Sequence, residues 1–112
     1  MTKVGEHITL DIIGTKKEYD PSFFENLIHK ISKAAKVTVL EISKYQFKPQ
    51  GFTILALLAE SHMSFHTFPE KGIISFDFFT CAKVSPKVAL DILKKEIKHE
   101  RVVVKNFDRS TV

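Results

Sequence analysis

The sequence predicts an α+β fold, a two-layer α/β sandwich in which a mainly antiparallel sheet carries two helices on one face. Three observations predict it. Short stretches carry apolar residues with period two. Two longer stretches carry them at helical spacing behind a proline. The resulting order is strand, helix, several strands, helix, strand.

The first strand is His7-Ile-Thr-Leu-Asp-Ile-Ile13, with Ile8, Leu10 and Ile12 on one face. Asp20-Pro21 starts a helix, with Asp20 as N-cap and Pro21 at the first helical position. Phe24, Leu27, Ile28, Ile31 and Ala35 follow at helical spacing. Val37 to Ile42 reads as a second strand and Gly51 to Ala59 as a third, whose nearly continuous apolar run predicts burial on both faces. Ile73 to Cys81 is a further strand, and Phe76, Phe78 and Phe79 are most simply core. Ser85-Pro86 starts a second helix bearing Val88, Ala89, Ile92, Leu93 and Ile97. Arg101 to Lys105 gives a last strand before a short polar tail. There is no linker, repeat or low-complexity segment, so residues 1–112 form one domain, long enough to bury a core without disulfides or metals.

Composition narrows the function classes. A hydrophobic content of 44% with 27% charge is ordinary for a soluble globular protein. No apolar run approaches the roughly 20 residues of a membrane span, and the first residues lack the apolar region of a signal peptide. The single cysteine cannot form an internal disulfide, so a reducing cytoplasm is the expected compartment. The net charge of +4 permits a nucleic-acid partner. However, Lys30, Lys33 and Lys36, and Lys94, Lys95 and Lys98, fall on helix-like stretches where solvated lysines are normal. With only Arg101 and Arg109, and no RNA-binding aromatic motif, no nucleic acid is expected.

The stretch Ala59-Glu60-Ser61-His62-Met63-Ser64-Phe65-His66-Thr67-Phe68-Pro69-Glu70 departs from this ordinary pattern. It sets hydroxyls, imidazoles and carboxylates between two apolar strands, the second of which ends in Cys81. Polar groups cost free energy to bury unless they are paired or used, and such a conflict is typical of a functional site.

The segment resembles the autoprocessing motif of the small prokaryotic S-adenosylmethionine decarboxylases. Glu60-Ser61-His62, then His66-Thr67-Phe68-Pro69-Glu70, then Phe79-Thr80-Cys81 stand in the family's order and spacing, and Phe47-Lys-Pro49-Gln-Gly51 is similar to its Phe-x-Pro-x-Gly segment. The resemblance covers nearly the whole chain, and the four matches in order make it specific. Two positions depart from the pattern: Phe68 stands where the family usually has Trp, and Tyr45 where it often has His. Both remain aromatic, so the pocket wall is expected to be altered rather than lost.

The resemblance implies a decarboxylase whose electron sink is a pyruvoyl group derived from Ser61, which forms a Schiff base with substrate, and no metal. The Ser61 hydroxyl would attack the Glu60 carbonyl, and loss of the Ser61 α-proton from the resulting ester would expel the Glu60 carboxylate. The dehydroalanine left behind would hydrolyse to pyruvoyl and ammonia, giving chains 1–60 and 61–112. By resemblance, His66 is the proton acceptor in processing, a role that suits imidazole. Thr53 assists with its hydroxyl where the family has serine, and Cys81 is the proton donor in decarboxylation. Phe47 would stack on adenine, Glu70 would bind the ribose hydroxyls, and Phe68 would help to wall the substrate pocket. The substrate implied is S-adenosylmethionine, and the product supplies the aminopropyl group for spermidine synthesis.

Other readings stand beside this one. Relatives of similar fold decarboxylate arginine or ornithine, and an uncleaved, non-catalytic subunit regulating a partner is a third possibility. Taken singly, Ser61 could be a hydrogen-bonded core residue and Cys81 a small hydrophobe. His62 and His66 would pair at a metal only on a helix; four residues apart on a strand they lie about 13 Å apart. The same geometry bears on the active site. Ser61 and His66, five residues apart, point to opposite faces of a regular strand, roughly 16 Å apart. A homodimer is therefore expected, in which Ser61 and Cys81 of one protomer meet Phe47, Thr53, His66 and Glu70 of its partner. The larger eukaryotic relatives, which look like fused duplicates with divided roles, point the same way.

Overall fold

The computed structural model of the chain describes residues 3–59 and 61–110; Glu60, one side of the expected cleavage point, lies outside them. Six strands and two helices are present among these residues: β1 (Lys3–Ile13), α1 (Pro21–Ala35), β2 (Val39–Gln46), β3 (Phe52–Leu58), β4 (Ser61–Phe68), β5 (Ile73–Thr80), α2 (Val88–Glu96) and β6 (Arg101–Ser110). A single turn of 3₁₀ helix, Pro69–Lys71, joins β4 to β5. The strands form one sheet in the order β2-β3-β4-β5-β1-β6, and its neighbours run antiparallel. The expected two-layer α+β sandwich is therefore the fold.

Each element follows from its residues. The Asp20 side chain accepts a hydrogen bond from the Phe23 amide at 3.0 Å and Pro21 opens α1, as its cap sequence requires. Lys36 closes the helix in the left-handed region, its amide reaching back to Ser32 and Lys33 carbonyls. Phe24, Leu27, Ile28, Ile31 and Ala35 of α1 and Ala89 and Leu93 of α2 are buried against one face of the sheet. That face supplies Ile8, Leu10 and Ile12, then Ile54, Ala56 and Leu58, then Met63 and Phe65, then Phe76 and Phe78. Period-two alternation delivers this set, because successive strand residues point to opposite faces.

Four expectations need correction. Strand β3 is buried on one face only: Leu55 and Leu57 are 48% and 54% exposed, because no layer of the described residues covers the second face. Phe79 lies on that open face, packed against the His7 and His62 rings rather than in the core. Helix α2 begins at Val88; Ser85 and Pro86 form a turn before it, in which the Ser85 hydroxyl accepts from the Lys87 amide. The expected polar tail is strand, since β6 runs to Ser110 by pairing with β1 out to Lys3. Pairing with a central strand overrides local polarity there.

Candidate active site

The residues singled out by the sequence fall at the two ends of β4. At its start, Ser61 pairs with Leu58 on β3 and Thr80 on β5. Its side chain points to the helix side, like Met63 and Phe65, and is nearly buried. A buried hydroxyl needs a partner, and Ser61 Oγ donates to Thr80 Oγ1 at 3.0 Å. Thr80 Oγ1 also accepts from the Ala82 amide at 3.0 Å, so the chain turns tightly around Cys81, which is exposed just beyond β5.

At the other end a cleft of about 320 Å³ opens. Phe47, Thr53, His66, Phe68 and Glu70 line it together with Gln50, Gly51, Phe52 and Thr67. Thr53 and His66 face each other across β3 and β4, and Thr53 Oγ1 lies 2.9 Å from His66 Nδ1. The additional methyl of threonine thus leaves its hydroxyl within reach of the imidazole. Phe47 and Phe68 are half-exposed, so both present ring surface to the cleft mouth. Tyr45 does not line it; its ring packs on Phe47 at 4.9 Å between centroids. The loop carrying Phe47 returns through Gly51, whose carbonyl accepts from the Phe47 amide at 2.8 Å and from Gln46 Nε2 at 2.9 Å. Gly51 has φ +89°, and a Cβ there would stand 2.9 Å from the Thr67 carbonyl, so loop and strand approach closely only because the residue is glycine.

Between the two ends β4 is unbroken. Its register with β3 and β5 runs residue by residue from Ser61 onward with no bulge. Five residues at the strand rise separate Ser61 from His66 by about 16 Å, and the side chains lie on opposite faces. Within one chain, then, the site is in two halves.

The middle of the open face holds a cluster that the sequence reading did not assemble. Asp77 accepts from His7 Nε2 at 2.7 Å, from His62 Nε2 at 3.3 Å and from the Ser64 hydroxyl. Burial alone would raise the Asp77 carboxyl; the hydrogen bonds from Ser64 and His7 and the charge of nearby His62 outweigh it and hold the carboxyl below its ordinary range. Since an ionised carboxylate only accepts, both imidazoles present Nε2–H to it. The two ring nitrogens and the carboxylate oxygen lie within 4.8 Å of one another, close enough for one cation. Against that use, Arg109 approaches His7 Nδ1 at 3.3 Å. A guanidinium can only donate, which leaves the proton on Nε2, the nitrogen a metal would need bare. The cluster is built as a hydrogen-bond network. Asp77 carried a signal in the sequence, a lone carboxylate inside an apolar strand; Thr80 was within a matched motif; His7 had none. No helix among the described residues is long and apolar enough to cross a membrane.

Comparison with known proteins identifies the family. The profile of the S-adenosylmethionine decarboxylase family matches residues 6–110. An S-adenosylmethionine decarboxylase proenzyme of Brevibacillus brevis is 37% identical, over 94% of this chain and 81% of its own. One of Prochlorococcus marinus is 39% identical, over 96% and 89%. The crystal structure of the adenosylmethionine decarboxylase from Aquifex aeolicus superposes with a TM-score of 0.85 at 30% identity, covering 100% of this chain and 95% of the other. The chain belongs to the S-adenosylmethionine decarboxylase family, a family of carboxy-lyases.

Proposed function

We propose that the chain is a proenzyme that cleaves itself between Glu60 and Ser61, and that the processed protein decarboxylates S-adenosylmethionine, supplying the aminopropyl donor for spermidine synthesis in the cytoplasm. The observation that carries the reading is the sorting of the matched residues: a nucleophile end with Ser61 and Cys81, and a cleft with Phe47, Thr53, His66, Phe68 and Glu70.

In processing, the Ser61 hydroxyl attacks the Glu60 carbonyl, and a base then removes the Ser61 α-proton. His66 is that base, with the Thr53 hydroxyl 2.9 Å away to hold its ring. The pyruvoyl group supplies an electron sink for the carbanion left by carbon dioxide, which no ordinary side chain provides. The seat would suit it in size, because the Ser61 oxygen leaves with the Glu60 carboxylate and the methyl ketone left behind is no larger than the serine it replaces. Phe47 and Phe68 offer faces for an adenine ring, and Glu70 a carboxylate for paired ribose hydroxyls. Cys81 returns the proton to substrate.

Two chains complete each site. The unbroken β4 leaves His66 too far from Ser61 of its own chain, and the open face exposes Leu55, Leu57 and Phe107 beside its polar network. A second copy packed on that face covers these residues, and a two-fold axis sets the cleft end of one chain over the Ser61 end of the other.

Arginine or ornithine would leave the aromatic walls and Glu70 without a nucleoside to meet, so the cleft favours S-adenosylmethionine. Intact-mass measurement of purified protein tests processing. Chains 1–60 and 61–112 are expected, the second lacking a free amino terminus, with S61A remaining whole. An uncleaved wild-type chain after long incubation would leave the regulatory-subunit reading standing. Carbon dioxide release from S-adenosylmethionine, arginine and ornithine then decides the substrate.

A further inference from the structure

We infer that Thr80 is a positioning residue that acts through one oxygen atom on both the making of the prosthetic group and its later use. The inference rests on Ser61 being the processed serine. Thr80 is 1% exposed at the end of β5, directly opposite Ser61 in the register. Its Oγ1 accepts two hydrogen bonds, one from Ser61 Oγ and one from the Ala82 amide, each at 3.0 Å.

The first bond fixes the nucleophile. A serine side chain has three staggered wells, and the bond to Thr80 selects one of them while leaving the lone pairs of Oγ available for attack. In the acyl shift the Ser61 oxygen bonds to the Glu60 carbonyl carbon and the Glu60–Ser61 C–N bond breaks. The proton lost from the hydroxyl ends on the Ser61 nitrogen, so the step needs no further reactant. With both of its lone pairs engaged, Thr80 Oγ1 does not take that proton; it aims the hydroxyl and leaves proton transfer to others. The second bond spans Cys81. It closes the turn that carries the thiol and holds Cys81 next to the strand position opposite Ser61. A single hydroxyl therefore sets the nucleophile before cleavage and the proton donor after it.

The substitution Thr80→Val removes the hydroxyl at nearly constant volume, and the exposed Ala82 amide can then find water. Cleavage of T80V, followed by intact mass, is expected to be roughly tenfold slower than wild type, since small misplacements of a reacting group carry costs of this order or more. T80S, which restores the oxygen, is expected to cleave at close to the wild-type rate. In the purified processed fraction of T80V, kcat should fall severalfold with KM unchanged, because Thr80 lies at the opposite end of β4 from Phe47, Phe68 and Glu70. A general loss of structure would move both constants. Wild-type cleavage with T80V equal to it overturns the inference, as does T80S behaving like T80V. If T80V does not fold, T80C, which fills the space with a sulfur that accepts only weakly, takes its place, and wild-type cleavage by folded T80C overturns the inference equally. Failure of the wild type itself to cleave would refute the reading of Ser61 instead.

Discussion

At the Ser61 end of β4 the polar groups are buried and paired inside the chain: one serine, one threonine and one backbone amide share a single oxygen. At the Phe68 end the polar groups line a cleft of about 320 Å³ beneath two half-exposed aromatic rings. On the proposed reading, the first end holds the atom to be converted, and the second holds the binding surface and the base. Because β4 is regular, neither can travel to the other. The contrast teaches that a regular strand keeps two groups of residues apart, so that the proposed site needs a second chain to join them.

The sharpest way to break this comparison is complementation. S61A chains and H66A chains should each remain uncleaved alone, with decarboxylation lost. In verified mixed dimers the H66A chain should be cleaved, because its Ser61 meets the His66 of the S61A partner. No cleavage in such dimers would mean that His66 serves its own chain, and the strand geometry would have to yield. The next largest effect is at Cys81. Cys81→Ala in the processed protein should lower turnover by about 10²–10⁴-fold, the usual range for a positioned general acid. A processed variant with wild-type turnover would reduce the thiol to packing.

At the cleft end the effect should be smaller and of another kind. Glu70→Gln removes the charge from the proposed acceptor of two hydroxyls, and KM for S-adenosylmethionine should rise about tenfold, as expected for losing a charge-assisted bond. Cleavage at Ser61 should be unaffected. A slowed cleavage would show that the two ends are not separable. The smallest effect lies between them, at Asp77. Its carboxyl is held below the ordinary value of about 3.9 by Ser64, His7 and His62. It therefore contributes stability that is present above pH 4 and lost as pH falls through the lower, folded value. Asp77→Asn should destabilise by about 1–2 kcal/mol at neutral pH, and should flatten the fall in thermal midpoint below pH 4. An acid profile identical to wild type would show that the network does not stabilise the fold.

Much of this was legible in the residues. Asp20-Pro21 marked the start of α1, because a side-chain acceptor followed by a residue lacking an amide proton suits the first turn of a helix. Ile8, Leu10 and Ile12 marked the buried face of β1 by alternation. The distance between Ser61 and His66 was readable too, since it needs only the rise of a strand. Leu55, Leu57 and Phe79 misled, because an apolar residue is written the same way on a buried face and on an open one. Thr80 was passed over because a threonine inside a motif looks like spacing until its oxygen is seen to hold two others.

By itself the sequence determined the periodicities, the caps and the identity of the reactive groups, all of which depend on residues near one another along the chain. Only the tertiary structure decided which of those groups meet. Cross-strand register set Thr53 beside His66 and Ser61 beside Thr80, and gathered His7, His62 and Ser64 around Asp77. Such pairings join residues far apart in the chain. They are fixed when the sheet closes on its core, because a slip of one residue would turn every buried side chain out to the open face.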